Sequence, residues 1–557
     1  MDNIGLTAYR SQLGPIESDY AKLASNASRV SSLDEAPRYD YRAPSSTIPA
    51  TERSNTLNEK LPLGKAIRKF PKASGYCLAM CIAIIGLGYS IVIMGAITGL
   101  DTFKQDYGKK HNGKQIIPQP YVSLWTALSP AGGAIGSILG GWLQDRIGRK
   151  FTLMVGSVFY ALAVTLVFFS HFPDGQNSKR IILTGGVTIL GFAIAMIQTT
   201  ANTYLSEITP TSLRGPAMAM IPTFTLLGQL LGSVVVFLVQ GIPGKKSYLI
   251  AFGSQWILAA VAFLLSCTMP DSPVHLARKG QHAKALQAAK RLYAPRVKEH
   301  DALETFRATI REEAAMGATA SYAACFRGTN LRRTMIAILA SVMPAMFGLD
   351  LLSTAAYFLE TIGMEEPTNL LFLIGGIVAG MLANAVGIWV LSRIGMRNMT
   401  IISMGLAGCM WAVMGISGFW KGKVPMYMAA GVLIAVIIVC GLGCWPASYA
   451  YMGQTSSLQL RALTQGLVGL SAQGASVCLA AVIPVIYNPD SGNLGAKVGF
   501  LYMGSCVIAT GLAWFFLPEM KGRSVIEVDQ MFEIKLSTRN FRSYRLEGDE
   551  DSEGMAR

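Results

Sequence analysis

The stretch GGWLQDRIGRK, Gly140 to Lys150, decides the fold, because the chain repeats it far downstream. GIWVLSRIGMRN (387–398) lies 247 residues on and sets Ser392, Arg393 and Gly395 under Asp145, Arg146 and Gly148. The same offset carries SEITPTSLRG (206–215) onto GQTSSLQLRA (453–462), placing Glu207 over Gln454 and Arg214 over Arg461. Two separate motifs sharing one offset mark a duplicated unit.

Around these motifs the chain is apolar in blocks. Of 557 residues 51% are hydrophobic and only 15% charged, where a soluble chain carries about a quarter. Twelve blocks of about 20 residues, the length that crosses a bilayer as helix, fall at roughly 76–100, 121–143, 151–170, 181–205, 216–239, 249–269, 335–359, 369–390, 399–419, 425–451, 462–487 and 496–517. The expected fold is an all-α membrane protein of twelve transmembrane helices in two pseudo-symmetric six-helix bundles. The expected divisions are a disordered tail over 1–75, a first bundle over 76–269, a polar loop with short amphipathic helices over 270–334, a second bundle over 335–517 and a tail over 518–557. HAKALQAAKRLY and HDALETFRATIREEAA are the helices expected in the loop, and LEGDEDSEGMAR reads as a solvated acidic run.

The net charge of +15 is topological rather than a nucleic-acid signature. With both tails on one side, 37 Lys and Arg fall there and 11 opposite. That bias puts both termini and the 270–334 loop in the cytoplasm. Eight of the nine cysteines sit inside blocks without CxxC pairing, so they read as packing residues. All five histidines, His111, His171, His275, His282 and His300, fall in loops, so no histidine relay crosses the membrane. With no nucleotide loop, metal-ligand cluster or Ser-His-Asp arrangement, neither enzyme activity nor cofactor nor metal is expected. The partners expected are a small-molecule substrate, protons and the lipid bilayer, with one chain as the working unit.

The GGWLQDRIGRK turn has a physical reading. Gly132, Gly136 and Gly140, four apart, leave one helix face smooth enough for another helix to approach closely. Gly148 relaxes the turn, while Arg149 and Lys150 hold it on the cytoplasmic side. Asp145, Arg146, Arg149, Glu207, Arg214, Arg393 and Arg461 are expected to form an inter-helical charge network closing the cytoplasmic end.

The paired DRIGRK and SRIGMR turns, the ExxPxxLRG motif, MPDSPVHLARKGQHAKAL and LPEMKGRSVIEVDQMFE together resemble the sugar porter family of the major facilitator superfamily. CFRGTNLRRT and NPDSGNLGAKVGF narrow the resemblance to the fungal maltose or α-glucoside permease-like branch, over about residues 75–535. The resemblance implies alternating access and a central site between the bundles, with transport of a sugar or related small molecule at the plasma membrane. Departures point to an alternative cargo, such as a secondary metabolite or an organic acid, in either direction; a non-transporting nutrient sensor is the third reading. Ser90 stands where the family has an acid associated with proton coupling. Val187 replaces an Arg or Gln, Pro344 and Ala345 replace a Gln-Gln pair, and Gly469 and Leu470 replace an Arg-Asn.

Inside the blocks, Gln229, Asp350, Asn384, Trp445, Tyr449 and Gln473 are the candidate substrate-binding residues, with Gln198, Thr199, Thr200, Asn202 and Gln465 as further polar positions. Asp350, in FGLDLLSTAAYF, is the one carboxylate well inside any block. An ionised acid at the bilayer centre costs about 2.5–3.5 kcal/mol on insertion scales, so it should face the bundle interior or water. Three roles stay open for it: proton coupling, pairing with a cationic or amine-bearing cargo, or a protonated acid bonded to Gln229 or a backbone carbonyl.

Overall fold

The computed structural model describes residues 63–544 except 112–113, 296–302, 304–320, 365–367, 421, 458–459, 488–491, 493, 522, 524 and 543. Most of the expected N-terminal tail, the helix expected at 300–315 save Leu303, and the acidic run lie outside the described residues. Helix begins earlier than the apolar pattern suggests, at Leu63–Lys69, and its Ala66 is buried with the following Phe70.

Eleven helices among the described residues are long and apolar enough to cross a membrane. They are span 1 (Pro71–Ile97), span 2 (Gln119–Ile147), span 3 (Arg149–Phe169), span 4 (Gln176–Ile208), span 5 (Leu213–Val239), span 6 (Lys246–Thr268), span 8 (Thr368–Ile394), span 9 (Met396–Ser417), span 10 (Lys423–Gln454), span 11 (Arg461–Tyr487) and span 12 (Gly495–Phe516). Span 7, the twelfth, is broken into Gly328–Met346, Leu349–Ser353 and Ala355–Thr361. The apolar run suggested one continuous helix over 335–359. The break falls at Gly348, whose φ of +97° is left-handed and glycine-specific. Neighbouring spans take up carbonyls at the break: Ser505 Oγ donates to Met346 O at 2.6 Å and Trp411 Nε1 to Phe347 O at 3.0 Å. Interrupted backbone at membrane depth survives only with such partners. One short antiparallel hairpin, Lys109–His111 with Lys114–Ile116, departs from the all-helical pattern between spans 1 and 2.

The spaced glycines do what their pattern suggests. A Cβ at Gly132 would strike the carbonyl oxygen of Thr188, and one at Gly136 that of Phe192, so spans 2 and 4 touch backbone to backbone. Between the halves, span 2 packs along span 11 and span 5 along span 8.

The duplication is visible in hydrogen bonds. Tyr204 OH donates to Pro270 O at 2.9 Å, and Tyr451 OH, 247 residues on, donates to Pro518 O at 2.8 Å. Gly148 and Gly395 both turn with φ near +100°, and each turn is capped by an acid at the end of its half's sixth span. Arg149 N donates to Asp271 Oδ1 at 3.0 Å, and Arg397 N to Glu519 Oε2 at 3.1 Å. Lys150 Nζ and Arg397 Nη2 then bond the Cys267 and Trp514 carbonyls at 2.7 and 2.8 Å.

Candidate functional site

Two constellations separate along the membrane normal: a cavity between the halves, and a polar seam at the end that carries the DRIGRK turn.

The cavity measures about 250 Å³ and is walled by spans 1, 2, 4 and 5 of one half and 7, 10 and 11 of the other. Trp125, Tyr357, Trp445, Tyr449 and Tyr487 supply aromatic wall, and Gln198, Gln229, Gln465 and Gln473 supply amides. Two of these amides are already engaged: Gln198 Nε2 donates across the cavity to Tyr449 OH at 3.1 Å, and Gln465 Nε2 donates to Met452 O at 2.7 Å. Trp445 packs edge-on against Phe347 at 6.0 Å, while its buried indole N–H has no hydrogen-bond partner. Gln473 lies against the smooth spot of Gly133, where a Cβ would come within 3.0 Å of its Cδ.

Asp350 opens the middle segment of span 7 and lines the cavity. The Ser476 hydroxyl hydrogen-bonds its carboxyl group, whereas Oδ2 is buried without a partner. Asp350 is the single charged residue on the cavity wall: no Lys, Arg or His lines it among the described residues. Ser90, in the place of the family's acid, belongs to a neutral cluster. Its Oγ donates to Gln255 Oε1 at 2.8 Å and lies 3.0 Å from Tyr160 OH.

The six candidate positions do not all converge. Gln229, Asp350, Trp445, Tyr449 and Gln473 line the cavity. Asn384 does not: it sits in the seam of spans 5 and 8, its Oδ1 accepting from Thr223 Oγ1 at 2.6 Å. It is buried in helix-helix contact, which a polar residue in an apolar block suits equally well. Val187, Pro344, Ala345 and Gly469 border the cavity as the resemblance implies, but Leu470 points outward and is 39% exposed. Ser476 and the tyrosines Tyr357 and Tyr487 were not singled out by sequence. A hydroxyl in an apolar run carries little periodic signal, and only the broken span 7 brings Ser476 to Asp350.

At the other site, Arg149 Nη2 meets Glu207 Oε1 at 2.6 Å, both side chains fully buried. Arg149 Nη1 also donates to Gln144 O at 3.0 Å and to His275 Nδ1 at 2.5 Å. Burial, with Arg149, Lys279 and Arg278 close by, holds the His275 imidazole down at about 2, so it stays neutral and accepts. Asp145 pairs with Arg278 at 2.9 Å rather than with Arg214. Arg146 and Arg393 stand outside this network: each lies over the tryptophan four residues before it, Trp142 at 5.6 Å and Trp389 at 5.4 Å. Both tryptophans are exposed, so these arginines sit at the lipid-facing rim. Arg214 Nη2 bonds Thr209 O at 3.4 Å, and Arg461 Nη2 bonds Ser456 O, the equivalent carbonyl, at 3.3 Å.

One bond crosses between the halves for a reason written in the motif. Residue 210 is proline and has no N–H, so the Ser206 carbonyl lacks its helical donor. Arg461 Nη1 takes it at 3.0 Å. Gln144 Nε2 donates to Ala462 O at 3.2 Å, and Tyr322, from the loop before span 7, donates to Ile138 O at 2.6 Å between spans 2 and 11. The seam is closed. Asp271, His275, Arg278 and Tyr322 escaped sequence reading because their motifs follow span 6 or precede span 7, far along the chain from the turn they contact.

Two repeated six-helix halves, a cavity between them and a bonded seam at one end define a membrane carrier of the major facilitator kind. The chain belongs to the sugar transporter family: the model described as "Sugar (and other) transporter" matches residues 76–532. It is 30% identical over 474 residues to the MFS transporter fmqE of Aspergillus fumigatus, covering 82% of this chain and 85% of that protein. It is 27% identical over 544 residues to the general alpha-glucoside permease of Saccharomyces cerevisiae, covering 95% and 86%. Among solved structures, the proton:xylose symporter XylE bound to 6-bromo-6-deoxy-D-glucose superposes with a TM-score of 0.71 at 16% identity, covering 83% of this chain and 99% of that one. That likeness establishes the fold.

Proposed function

We propose that this chain carries a small organic molecule through the central cavity by alternating access, in a proton-coupled cycle with Asp350 as the proton site. The carrying observation is the cavity itself, walled by both halves and holding one carboxyl group with an unpartnered oxygen. The basic seam is its cytoplasmic gate, in keeping with the excess of Lys and Arg on that side. Both termini are then cytoplasmic, the membrane is the plasma membrane, and one chain is the transport unit. An organic acid suits this cavity poorly, since no basic side chain lines it among the described residues. The wall amides of Gln229 and Gln473 can pair with a polar group on the cargo.

Counterflow in proteoliposomes tests this. Purified chain should exchange at least one member of a panel of monosaccharides, α-glucosides, polyols and small amines between internal and external pools. An imposed pH gradient should drive its accumulation. Asp350→Asn should lose that accumulation. Exchange by no member of the panel ends the transport reading; unchanged accumulation in Asp350→Asn ends the coupling role.

A further inference from the structure

We propose that the cavity takes an organic cation, a protonated amine on an apolar or aromatic body, and exchanges it for the proton on Asp350. This rests on the transport reading and narrows its cargo and direction of coupling.

The argument starts from charge. Asp350 is the one ionisable acid on the wall, and no base lines the cavity among the described residues. The titratable groups facing it are tyrosines: Tyr357 from span 7, Tyr487 from span 11 and Tyr449 from span 10 line the same cavity, with Tyr502 of span 12 close behind. Spans 1, 2, 4 and 5 present hydroxyls, amides, an indole and apolar groups but no charge. An ionised carboxylate in such a site needs a counter-charge, and none of the described lining residues supplies one. A proton can, or a cation can, and they compete for the same oxygens.

The rest of the wall suits a cation with an apolar body. Trp125, Trp445 and the three tyrosines offer ring faces, which attract ammonium groups electrostatically. Oδ2, free of partners, is an acceptor in waiting. Ser476, which bonds the carboxyl group, comes from the second half, as does Asp350, so the charge site does not depend on the seam between halves.

Exchange follows from the competition. With a proton on Asp350 the site is neutral; with an ammonium beside the carboxylate it is also neutral. The bare carboxylate alone leaves a charge in a closing, drying cavity. The two loaded forms can therefore pass through occlusion while the bare form is held back, so one proton moves one way for each cation moved the other.

The test uses the full chain in detergent and three compounds of one shape: 2-phenylethylammonium, 2-phenylethanol and 3-phenylpropionate. Ligand-dependent thermal stabilisation reports binding. The ammonium compound should stabilise the protein, and the alcohol and carboxylate should not. Its apparent affinity should fall about tenfold per pH unit once the carboxyl group protonates. Asp350→Asn should lose the ammonium response, and Asp350→Glu should keep it. Equal binding of amine and alcohol, preference for the carboxylate, no response to any of the three, or an undiminished response in Asp350→Asn overturns the inference. Should Asp350→Asn fail to fold, the pH dependence in the unaltered chain and the Asp350→Glu variant decide. Any of these failures leaves the transport reading standing, since that falls only if counterflow is absent for the whole panel.

Discussion

Replacing Arg461 with methionine removes a charge-assisted hydrogen bond that crosses the basic seam, from its Nη1 to Ser206 O at 3.0 Å. Such a bond contributes about 1.5–3 kcal/mol. The neutral crossings, Gln144 to Ala462 and Tyr322 to Ile138, contribute about 0.5–1.5 kcal/mol each. Of these three described crossings, Arg461 thus supplies about half of the hydrogen bonding. At about 1.4 kcal/mol per factor of ten, Arg461→Met should raise the open population roughly 10- to 100-fold. The chain carries its own reporter. Cys325 is fully buried beneath the seam, 3.8 Å from Thr464 Oγ1, and burial pushes its thiol pKa up, so it resists alkylation while the seam is closed. With the other eight cysteines replaced, maleimide labelling of Cys325 should follow the open population when opening is fast relative to alkylation. The rate should rise roughly 10- to 100-fold in Arg461→Met. It should stay level in Arg393→Met, whose guanidinium lies over Trp389 at the rim. An unchanged rate in Arg461→Met, with elution and melting temperature intact, would refute the assignment of that bond to the gate.

Gly132→Ala should lower thermal stability by about 1–3 kcal/mol, because the new Cβ strikes the Thr188 carbonyl and forces spans 2 and 4 apart. Gly185→Ala in span 4, with nothing within 4 Å of the added carbon, should be neutral or stabilising, and equal effects on melting temperature would discredit the close-packing account. His275 is held at about 2 in the folded protein against about 6.5 for a free imidazole, so the unfolded chain takes up the proton first. Stability is therefore unaffected above pH 6.5 and falls by about 1.4 kcal/mol per unit below it. His275→Gln, which keeps an acceptor for Arg149, should flatten that decline; parallel melting curves from pH 7 to 5 would show that His275 does not carry it. Replacing both Arg149 and Glu207 by Met and Gln, the residues of the second half at Met396 and Gln454, should cost less than Glu207→Gln alone. The single change strands a buried guanidinium, at about 3–5 kcal/mol, and a double-mutant cycle measures the difference.

The duplicated architecture was legible because hydrophobic block length and a shared 247-residue offset are one-dimensional signals. The offset even anticipates the paired Tyr204 and Tyr451 bonds, though neither tyrosine lies in the motifs that revealed it. Asp350 was legible for the same kind of reason, since a charge in an apolar run is conspicuous by contrast. What sequence could not resolve was direction. Asn384 and Gln229 look alike in an apolar block, yet one faces Thr223 in a helix seam and the other the cavity. Arg146 and Arg149 sit three residues apart, and Gly148 between them turns one to the lipid rim and the other to Glu207. The break in span 7 was hidden because Gly348 lies in a run as apolar as any continuous helix.

The acid caps on the two glycine turns carry a mechanical consequence. Asp271 ties the turn after span 2 to the end of span 6, and Glu519 ties the matching turn to the end of span 12. Each half is in this way braced as a frame, its first hairpin strutted to its last helix. A braced frame tilts without shearing. Motion that parts spans 2 and 11 at the basic end must then swing the far ends of the same helices inward, as the arms of a rocker do. The mutual exclusion of two entrances, which a carrier needs to avoid becoming a pore, would on this geometry come from the rigidity of two struts.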